Sequence, residues 1–450
     1  MIPFFKYTSP IWYFNLNPHG SVPNYFTNHK TVYDDLLDHA VNYDSHTAKE
    51  IDYAYQLWES GHIDQRKNSI ETQNIPNLTV SDNYKLLARF SKKQWFVVAF
   101  LFRLFEFRNP FKEIKGLISA SKIARANTIQ LREKIKCDIE QEWENFDSEL
   151  IKKNPLVSVV IPTLNRYQYL KDVFKDLEKQ TYRHFEVIVV DQTDDFDESQ
   201  YKGWNFELRY WKQEEKALWL ARNSAIKNAK GEFILLYDDD SLVDSDWVLN
   251  HLKCIDFFRC DISSGASISV VGGRVPEHYS YFRWSDQIDT GNVMLRRTIF
   301  NQVGLFDRQF EKQRMGDGEF GLRCYLEGLK NISNPKAKRI HLKVSEGGLR
   351  QMGSWDAWRP KNLLAPRPIP SVLYLSRKYF GSSATIKNII LNVLTTFIPY
   401  KYKSNKKFII AYIPVFVLLL PLLLVSISRS WFFSSQKLRQ GAKIEKLSEK

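Results

Sequence analysis

The feature that most constrains the fold is the segment from Pro155 to about His341, in which short apolar runs alternate with helical patterns. The runs VSVVI (157–161), FEVIVV (185–190) and EFILLY (232–237) are continuous and of strand length, which is typical of strands buried on both faces of a sheet. Residues 169–180 and 217–229 have helical periodicity, and Gly231 follows the second stretch as a stop signal. This alternation predicts βαβ units in an α/β fold with a mostly parallel central sheet.

Composition divides the 450 residues into three regions, with boundaries near residues 150 and 370. Residues 1–150 are rich in aromatic and charged side chains and are predicted to be a mostly helical region of unknown role, with a helical pattern over 112–150 that contains few breakers. Residues 151–370 hold the α/β domain, and residues 371–450 hold membrane-type segments. The four cysteines lie far apart without a C-x-x-C pair, which argues against a disulfide framework or a cysteine zinc site and favours a reducing compartment.

Two segments of the last region have membrane character. Residues 386–398 place apolar side chains at helical spacing, which predicts an amphipathic helix at a lipid interface. Residues 408–427 are uncharged and lie between lysines and Arg429, and at about 1.5 Å per residue they match a hydrocarbon core of about 30 Å. Two topologies remain open, a single span or a re-entrant hairpin bent at Pro414 or Pro421. The apolar run 95–107 is too short to span a bilayer, and its sequence fits an interfacial helix and a buried core helix equally.

The net charge of +13 admits nucleic acid, anionic lipid or phosphorylated substrates as partners. Residues 401–450 contain ten Lys or Arg and two Glu, and this excess surrounds the most apolar segment. Such placement favours membrane lipids over nucleic acid. The first residues lack the pattern of a signal peptide, so we expect a membrane-associated protein whose catalytic domain is cytoplasmic.

Three consecutive carboxylates, Asp238, Asp239 and Asp240, follow the predicted strand 232–237 directly. Alternate side chains of an extended segment point the same way, so Asp238 and Asp240 can face one ligand. Carboxylates crowded at the end of a buried strand require a nearby positive charge, and oxygen ligands suit Mg²⁺ or Mn²⁺. The pattern alone is also compatible with a solvated acidic turn.

The segments VSVVIPTLNR, FEVIVVDQTDD and ALWLARNSAIKNAKGEFILLYDDD together resemble the family 2 glycosyltransferases, nucleotide-sugar-dependent enzymes of the GT-A fold. The resemblance covers Pro155 to about His341 and implies that Asp240 binds Mg²⁺ or Mn²⁺. Gln192 stands where the family often has a second acid beside the base. The contacts to the nucleotide sugar that the resemblance implies are Pro162, Thr163, Asn165, Arg166, Asp191, Lys216, Arg222, Asn223, Asp238 and Asp239.

The later segment TGNVMLRRTIFNQVGLFDRQFEKQRMGDGEFGLR is similar to the acceptor side of the same family. The similarity implies that Asp317 is the catalytic base, and that His341 is a second metal ligand. An ordinary helix N-terminus would also favour acids at Asp317 and Glu319, and a lone histidine between basic residues is often a packing residue. Asp307 matches the family too, but a capping role is at least as compatible with its position. The remaining acceptor-side residues implied by the similarity are Gly291, Asn292, Glu319 and Arg323.

Residues 345–360 combine Gly347 and Gly348 with Arg350, Trp355 and Trp358, which fits either a lid over the site or a loop that packs its tryptophans. The sequence contains no phosphate-binding P-loop, no dinucleotide fingerprint and no nucleophile elbow. It also lacks the Q-x-x-R-W element of processive synthases, which favours addition of a single sugar.

The resemblance therefore implies an inverting, metal-dependent glycosyltransferase. Its donor would be a nucleoside-diphosphate sugar, and its acceptor a hydroxyl of a lipid-linked or cell-surface glycan. Two alternatives fit the same sequence, a catalytically silent nucleotide-sugar-binding protein and a membrane-tethered scaffold.

Overall fold

The structure is a computed structural model of the chain. It describes residues 2–16, 32–63, 78–270, 275–344, 347–348, 357–358, 360, 362, 364–393, 396–398, 402 and 405–447.

The described strands form one mixed sheet in the order β3-β2-β1-β4-β8-β6-β9-β5, with β7 paired to β9. The strands β1 to β4 pair in parallel, β6 pairs with β9 in parallel, and the other pairings are antiparallel. The predicted parallel arrangement is therefore confirmed for the first half of the sheet, which has the order of a nucleotide-binding α/β half. The strands are β1 Val157–Thr163, β2 Phe185–Asp191, β3 Glu207–Lys212, β4 Phe233–Tyr237, β5 Ser241–Val243, β6 Ile262–Ser269, β7 Arg283–Trp284, β8 Asn292–Arg296 and β9 Asn331–His341.

Helices cover both faces of this sheet, as the α/β pattern predicts. Alternate residues of β1 enter different cores, with Val159 in the cluster that contains α8 and Val160 in the cluster that contains α9. The helices are α1 Phe5–Thr8, α2 His46–Glu59, α3 Val80–Phe90, α4 Gln94–Phe105, α5 Pro110–Ala120, α6 Ile129–Asn145, α7 Glu149–Lys152, α8 Tyr167–Glu178, α9 Leu218–Asn228, α10 Trp247–Phe257, α11 Ile299–Val303, α12 Gly316–Leu326, α13 Pro370–Val393 and α14 Lys406–Gln440.

The helical pattern over 112–150 is observed as three helices, α5, α6 and α7, with breaks between them. Tertiary hydrogen bonds explain the break at 121–128. The backbone N–H of Ala126 donates to the carbonyl of Arg89 (3.0 Å), and that of Asn127 donates to Asp38 (3.1 Å). These bonds to distant segments replace the helical ones, which a local pattern cannot reveal. The domain boundaries near 150 and 370 stay a prediction.

The helices α4 and α5 present apolar side chains both inward and outward. Phe96, Ala99 and Phe102 of α4 are buried in the core of the N-terminal region. The opposite face of α4, the following loop and one face of α5 leave a set of large apolar side chains exposed, namely Val97, Leu101, Phe105, Phe107, Phe111, Ile114 and Ile118. The buried-core interpretation of the run 95–107 is confirmed for one face of α4, whereas the other face is exposed in the described part of the chain and the interfacial interpretation stays a prediction. We call these seven side chains the α4–α5 apolar face.

The C-terminal helix α14 continues without interruption through Pro414 and Pro421, so a hairpin bend at either proline is not observed. Its residues Ala411–Gln440 are long and apolar enough to cross a membrane by length and composition, with 11% of the most apolar window buried. The last turns instead contact the α/β domain, where Lys437 Nζ donates to the carbonyl of Gln309 (2.5 Å). The residues after α14 pack there as well, and Leu447 is buried in the core beside α9 and α12.

Candidate active site

The candidate site lies at the carboxyl ends of the parallel strands β1, β2 and β4. Thr163 ends β1, Asp191 ends β2, and the three acids 238–240 follow β4. Because β2, β1 and β4 are neighbours in the sheet, these residues meet at one edge. The order of strands changes direction between β1 and β4, which is where open α/β sheets bind ligands.

Arginines compensate the charge of the acidic triple, as the crowding of carboxylates requires. Arg222 Nη2 donates to Asp238 Oδ1 (2.7 Å), and Arg339 Nη1 donates to Asp238 Oδ2 (2.8 Å). Arg166 Nη1 lies 2.9 Å from Asp239 Oδ1 and 3.3 Å from Asp240 Oδ2. A solvated acidic turn would not bury these arginines, and Arg222 and Arg339 are almost fully buried.

The side chain of Asp239 is bound to the end of β1 and to the loop that follows it. Its Oδ2 accepts a hydrogen bond from Thr163 Oγ1 (2.8 Å), and its Oδ1 accepts one from Arg166. Burial raises the pKa of Asp239 to about 6, and the positive charge of Arg166 opposes that rise. Asp239 therefore joins the first strand and its loop to the acidic triple.

Asp238, Asp240 and His341 form a group that could hold a metal ion. One ligand atom from each residue lies within 4.8 Å of the others. His341 Nε2 lies 3.3 Å from Asp240 Oδ1, and its strand β9 pairs with β5 just after the acidic triple. Two carboxylates with one imidazole are compatible with Mn²⁺, and carboxylates with water are compatible with Mg²⁺. This donor set fits the predicted metal and leaves its identity open.

Arg339 is a site residue that the sequence analysis missed. Besides Asp238 it donates to Asp289 Oδ2 (2.7 Å) and to Ser267 Oγ (2.8 Å). Burial alone would lower the pKa of Arg339, but the carboxylates of Asp289 and Asp238 outweigh burial and raise that pKa. The signal was its position two residues before His341 on a strand, where both side chains share a face.

Gly291 lies directly against this ion pair. A Cβ at this position would lie 2.0 Å from Arg339 Nη1 and 2.1 Å from Asp238 Oδ2. A side chain at this position would overlap the buried ion pair, so glycine is required here for packing. This requirement does not depend on any contact with an acceptor.

The residues implied for the nucleotide base surround the end of β2. Both oxygens of Asp191 have internal partners, since Oδ2 accepts from Tyr167 Oη (2.6 Å) and Tyr201 Oη (2.7 Å), and Oδ1 accepts from the backbone of Thr193 (2.8 Å). Gln192 Oε1 accepts from the backbone of Ala217 (2.6 Å), whereas its buried Nε2 has no hydrogen-bond partner in the described part of the chain.

The loop after β1 carries other residues implied for the donor. Asn165 has a left-handed backbone (φ 55°), and its N–H donates to Thr193 Oγ1 (2.9 Å). Pro162 is paired in register with Val190 of β2. Lys216, on the segment before α9, pairs with Asp194 at 2.6 Å in solvent. The structure thus brings this loop and the ends of β1 and β2 together.

Asn223 and Asn292, two contact residues implied by the family resemblance, form hydrogen bonds inside the fold. The Asn223 side chain forms two hydrogen bonds of 2.9 Å with the backbone of Phe306. Asn292 Oδ1 accepts from Trp247 Nε1 (2.8 Å), and its Nδ2 donates to the carbonyl of Ala337 (2.9 Å). Both side chains are buried, and these contacts hold neighbouring elements together.

Asp317 lies in the first turn of α12, partly exposed, with Oδ1 accepting from the N–H of Gly318 (2.8 Å). A chain of contacts leads from this turn to the acidic triple. A Cβ on Gly316 would lie 2.3 Å from the indole of Trp219, and the guanidinium of Arg222 lies 5.4 Å from the centre of the same ring. Arg222 in turn binds Asp238, so Trp219 is a second site residue that the sequence analysis did not single out.

Glu319 and Arg323 join α12 to α13 and to the segment after α11. Glu319 is fully buried and accepts from Tyr379 Oη (2.6 Å), Lys378 Nζ (3.1 Å) and Arg323 Nε (3.0 Å). Burial would raise the pKa of Glu319, but Arg323 and Lys378 outweigh it and hold that pKa below its usual value. Arg323 also donates to the carbonyl of Leu305 (2.9 Å) after α11.

Asp307 caps a short helical turn by accepting from the N–H of Gln309 (2.9 Å), so its predicted capping role is confirmed.

The segment proposed as a lid is described only in part. Gly348 donates its N–H to the carbonyl of Leu164 (2.8 Å), and a Cβ there would lie 2.5 Å from Arg166 Nη2. Both glycines have positive φ, 62° at Gly347 and 81° at Gly348. These two residues therefore pack against the loop after β1. Arg350 and Trp355 lie outside the described residues, and the carbonyl of Trp358 accepts a hydrogen bond from Thr396.

Residues 158–314 match the sequence model described as Glycosyl transferase family 2. The matched residues contain β1, β2, β4 and the acidic triple, and they end before α12 and β9. They are a family 2 glycosyltransferase domain, which confirms the predicted family and the predicted class of enzyme for this part of the chain.

The chain is also similar to individual proteins. It is 24% identical over 166 residues to glycosyltransferase GlyA of Streptococcus pneumoniae serotype 4, covering 35% of this chain and 22% of the relative. It is 22% identical over 271 residues to a dolichyl N-acetyl-alpha-D-glucosaminyl phosphate 3-beta-D-2,3-diacetamido-2,3-dideoxy-beta-D-glucuronosyltransferase of Methanococcus voltae, covering 54% of this chain and 83% of the relative. A crystal structure of S. aureus TarS 1–349 in complex with UDP-GlcNAc matches with a TM-score of 0.42 and 18% identity, covering 63% of this chain and 92% of that chain.

Proposed function

We propose that this chain transfers a sugar from a nucleoside-diphosphate sugar to an acceptor hydroxyl, with inversion and with the help of Mg²⁺ or Mn²⁺. The observation that carries the proposal is the group Asp238, Asp240 and His341 at the carboxyl edge of a family 2 domain. A nucleoside diphosphate presents phosphate oxygens, which are ligands that such a cation shares with carboxylates.

The donor would lie across the ends of β1, β2 and β4. Arg166 and Arg222 place guanidinium groups beside the acidic triple, and guanidinium groups bind phosphate oxygens with good geometry. The buried Nε2 of Gln192, unpaired in the described part of the chain, is a donor that a base carbonyl would satisfy. The base would then lie near Gln192 and Asp191, and the diphosphate near the metal ligands.

Asp240, Asp238 and His341 would hold the cation, which when bound supplies neutralisation of the charge that develops on the leaving diphosphate. The arginines hold the carboxylates in place through ion pairs before the donor arrives.

Asp317 would accept the proton of the attacking acceptor hydroxyl through a carboxylate oxygen. It lies in the first turn of α12, and contacts lead from Gly316 in that turn to Asp238 through Trp219 and Arg222. Attack on the anomeric carbon from the side opposite to the diphosphate inverts that centre. The internal partners of Asn223, Asn292, Glu319 and Arg323 support a positioning role for these four residues.

The substitution Asp317→Asn tests this assignment, since the amide cannot accept the proton. We expect transfer or donor hydrolysis to fall by about 10²- to 10⁴-fold. Donor affinity, measured by calorimetry in Mn²⁺, should stay unchanged. Asp172→Asn is a matched control, because Asp172 is an exposed acid on α8 away from the site. An active Asp317→Asn variant would exclude Asp317 as the base, and a wild-type chain that binds donors but turns none over would favour a nucleotide-sugar-binding protein.

The substitution Asp240→Ala tests the metal site independently of turnover. We expect thermal stabilisation by UDP and related nucleoside diphosphates to depend on Mn²⁺ in the wild type and to lose that dependence in the variant. Equal Mn²⁺-dependent stabilisation of both proteins would contradict the proposed ligand set.

We further propose that the enzyme acts at a membrane surface on a lipid-linked glycan, with its catalytic domain cytoplasmic. The apolar helix 411–440 and the α4–α5 apolar face support this proposal. Basic side chains border that face, among them Lys93, Arg108, Lys112 and Lys115, and basic residues attract anionic headgroups.

A further inference from the structure

A cleft of about 520 Å³ lies between the N-terminal region and α13, outside the family 2 domain. This volume is in the range of small-ligand sites. One wall contains aromatic rings that contact one another in the series Trp12, Phe5, Tyr55 and Phe90, with centroids of successive rings 4.4 to 6.1 Å apart. Trp95, in the first turn of α4, lines the cleft as well.

The opposite wall belongs to α13 and is made of amides. Asn388 and Asn392 both line the cleft. Asn388 is 6% exposed, and its Nδ2 has no hydrogen-bond partner in the described part of the chain. An unpaired buried amide donor is costly unless a ligand accepts from it.

Among the described residues that line this cleft there is no Asp, Glu, Lys, Arg or His. Phosphates and carboxylates are bound by arginine, lysine or metal ions, so the lining does not suit a nucleotide. Aromatic rings beside amide and hydroxyl groups instead suit a neutral ring with one apolar face and polar edges. A neutral saccharide has that character.

Both walls are attached to the helix that carries Asp317. Trp12 is followed by Tyr13, whose hydroxyl donates to the carbonyl of Gly318. On the other wall, α13 holds Glu319 through Lys378 and Tyr379 before its break at Gly381. A sugar bound in the cleft is thus held by segments that also fix the first turns of α12.

We propose that this cleft binds a neutral saccharide portion of the acceptor, with Trp95 and the wall of aromatic rings stacking on sugar faces and Asn388 Nδ2 donating to a sugar oxygen. The proposal rests on the glycosyltransferase function proposed above and assigns part of its acceptor recognition to residues outside the family 2 domain.

The test uses the full chain in detergent micelles on a printed array of short neutral and anionic oligosaccharides. We expect the wild type to bind neutral glycans. Trp95→Ala should weaken that binding about tenfold, the effect of one lost aromatic contact of about 1.4 kcal/mol. Asn388→Leu, which keeps the branched shape of the side chain and removes the donor, should weaken it as well. Ile129→Ala is the control, because Ile129 is an exposed apolar residue on α6 outside the cleft and outside the α4–α5 apolar face.

Binding to anionic glycans alone, binding to no glycan, or equal binding by wild type, Trp95→Ala and Asn388→Leu would each overturn the proposal. Donor binding in Mn²⁺, measured on the same samples, shows that each variant is folded. Glycan binding that survives in Asp240→Ala while donor binding is lost supports two separate sites. If the wild type binds neutral glycans but neither hydrolyses nor transfers from any donor, the proposed function fails and the saccharide cleft stands.

Discussion

Replacing Arg339 with methionine tests whether the acidic triple depends on its buried arginine. Arg339 is 1% exposed and donates to Asp238 and Asp289, so Arg339→Met leaves both carboxylates without this partner. Breaking a buried ion pair by removing one member costs about 3 to 5 kcal/mol, because the remaining charge stays desolvated. The side chains of Asp238 and Asp289 are 17% and 39% exposed, so water compensates part of that cost. We therefore expect a loss near the lower end, about 3 kcal/mol.

The assay is urea unfolding of the full chain in mild detergent, followed by intrinsic fluorescence. Arg296→Met is the matched control, because Arg296 pairs with Glu232 on the surface, with the two side chains 39% and 53% exposed. Such a pair contributes about 0.2 to 1 kcal/mol. Because a cation would share the Asp238 carboxylate with Arg339, Mn²⁺ should stabilise Arg339→Met more than the wild type. Equal destabilisation by the two substitutions would refute the argument that Arg339 supports the site.

Three further outcomes are expected. Glu319→Gln should destabilise the protein near neutral pH, and the difference in stability from the wild type should shrink as pH falls below 4.5. The reason is that a carboxylate with a lowered pKa contributes stability that is lost when it is protonated. Unfolding at several pH values measures this, and a difference that stays constant with pH would contradict it. Gly291→Ala should destabilise the fold by about 1 to 3 kcal/mol and weaken Mn²⁺ binding, because the new Cβ displaces the ion pair beside it; unchanged calorimetric Mn²⁺ affinity would count against this. In a Cys137→Ser background, the emission of an environment-sensitive dye attached at Phe111→Cys should shift to the blue when anionic vesicles are added. The emission of a dye attached at Asp172→Cys should not shift. An unchanged emission at Phe111→Cys would exclude lipid contact by α5.

The elements of the α/β domain were predictable because their signals are local. The predicted strand 185–190 and helix 217–229 agree within one residue with Phe185–Asp191 and Leu218–Asn228. Asp238 and Asp240 lie together with His341, although residues 239–240 form a turn and not the extended segment from which their common direction was predicted. Strand pairing then brings distant segments to one edge, which the order of motifs in the family also implies.

The parts that could not be predicted depend on contacts distant in sequence. Tyr13 lies 305 residues from its partner Gly318, and no local pattern connects them. Arg339 lies two residues before His341 on one strand, so a shared face could have been predicted. It was not singled out because it stands in a run of basic residues. The buried hydrogen bonds of Glu319 could not be predicted either, because its partners Lys378 and Tyr379 lie on a helix about sixty residues further along the chain.

The residues that follow α14 have a consequence for the order of folding during synthesis. Glu445 and Lys443 accept main-chain hydrogen bonds from Leu305 (2.7 Å) and Arg308 (3.2 Å), so they complete the domain beside α11 and α12. The ribosome makes these residues after the apolar helix, and domains usually fold as they emerge. The α/β domain therefore keeps that side unfinished until residues 443–447, and with them the whole apolar helix, have left the exit tunnel.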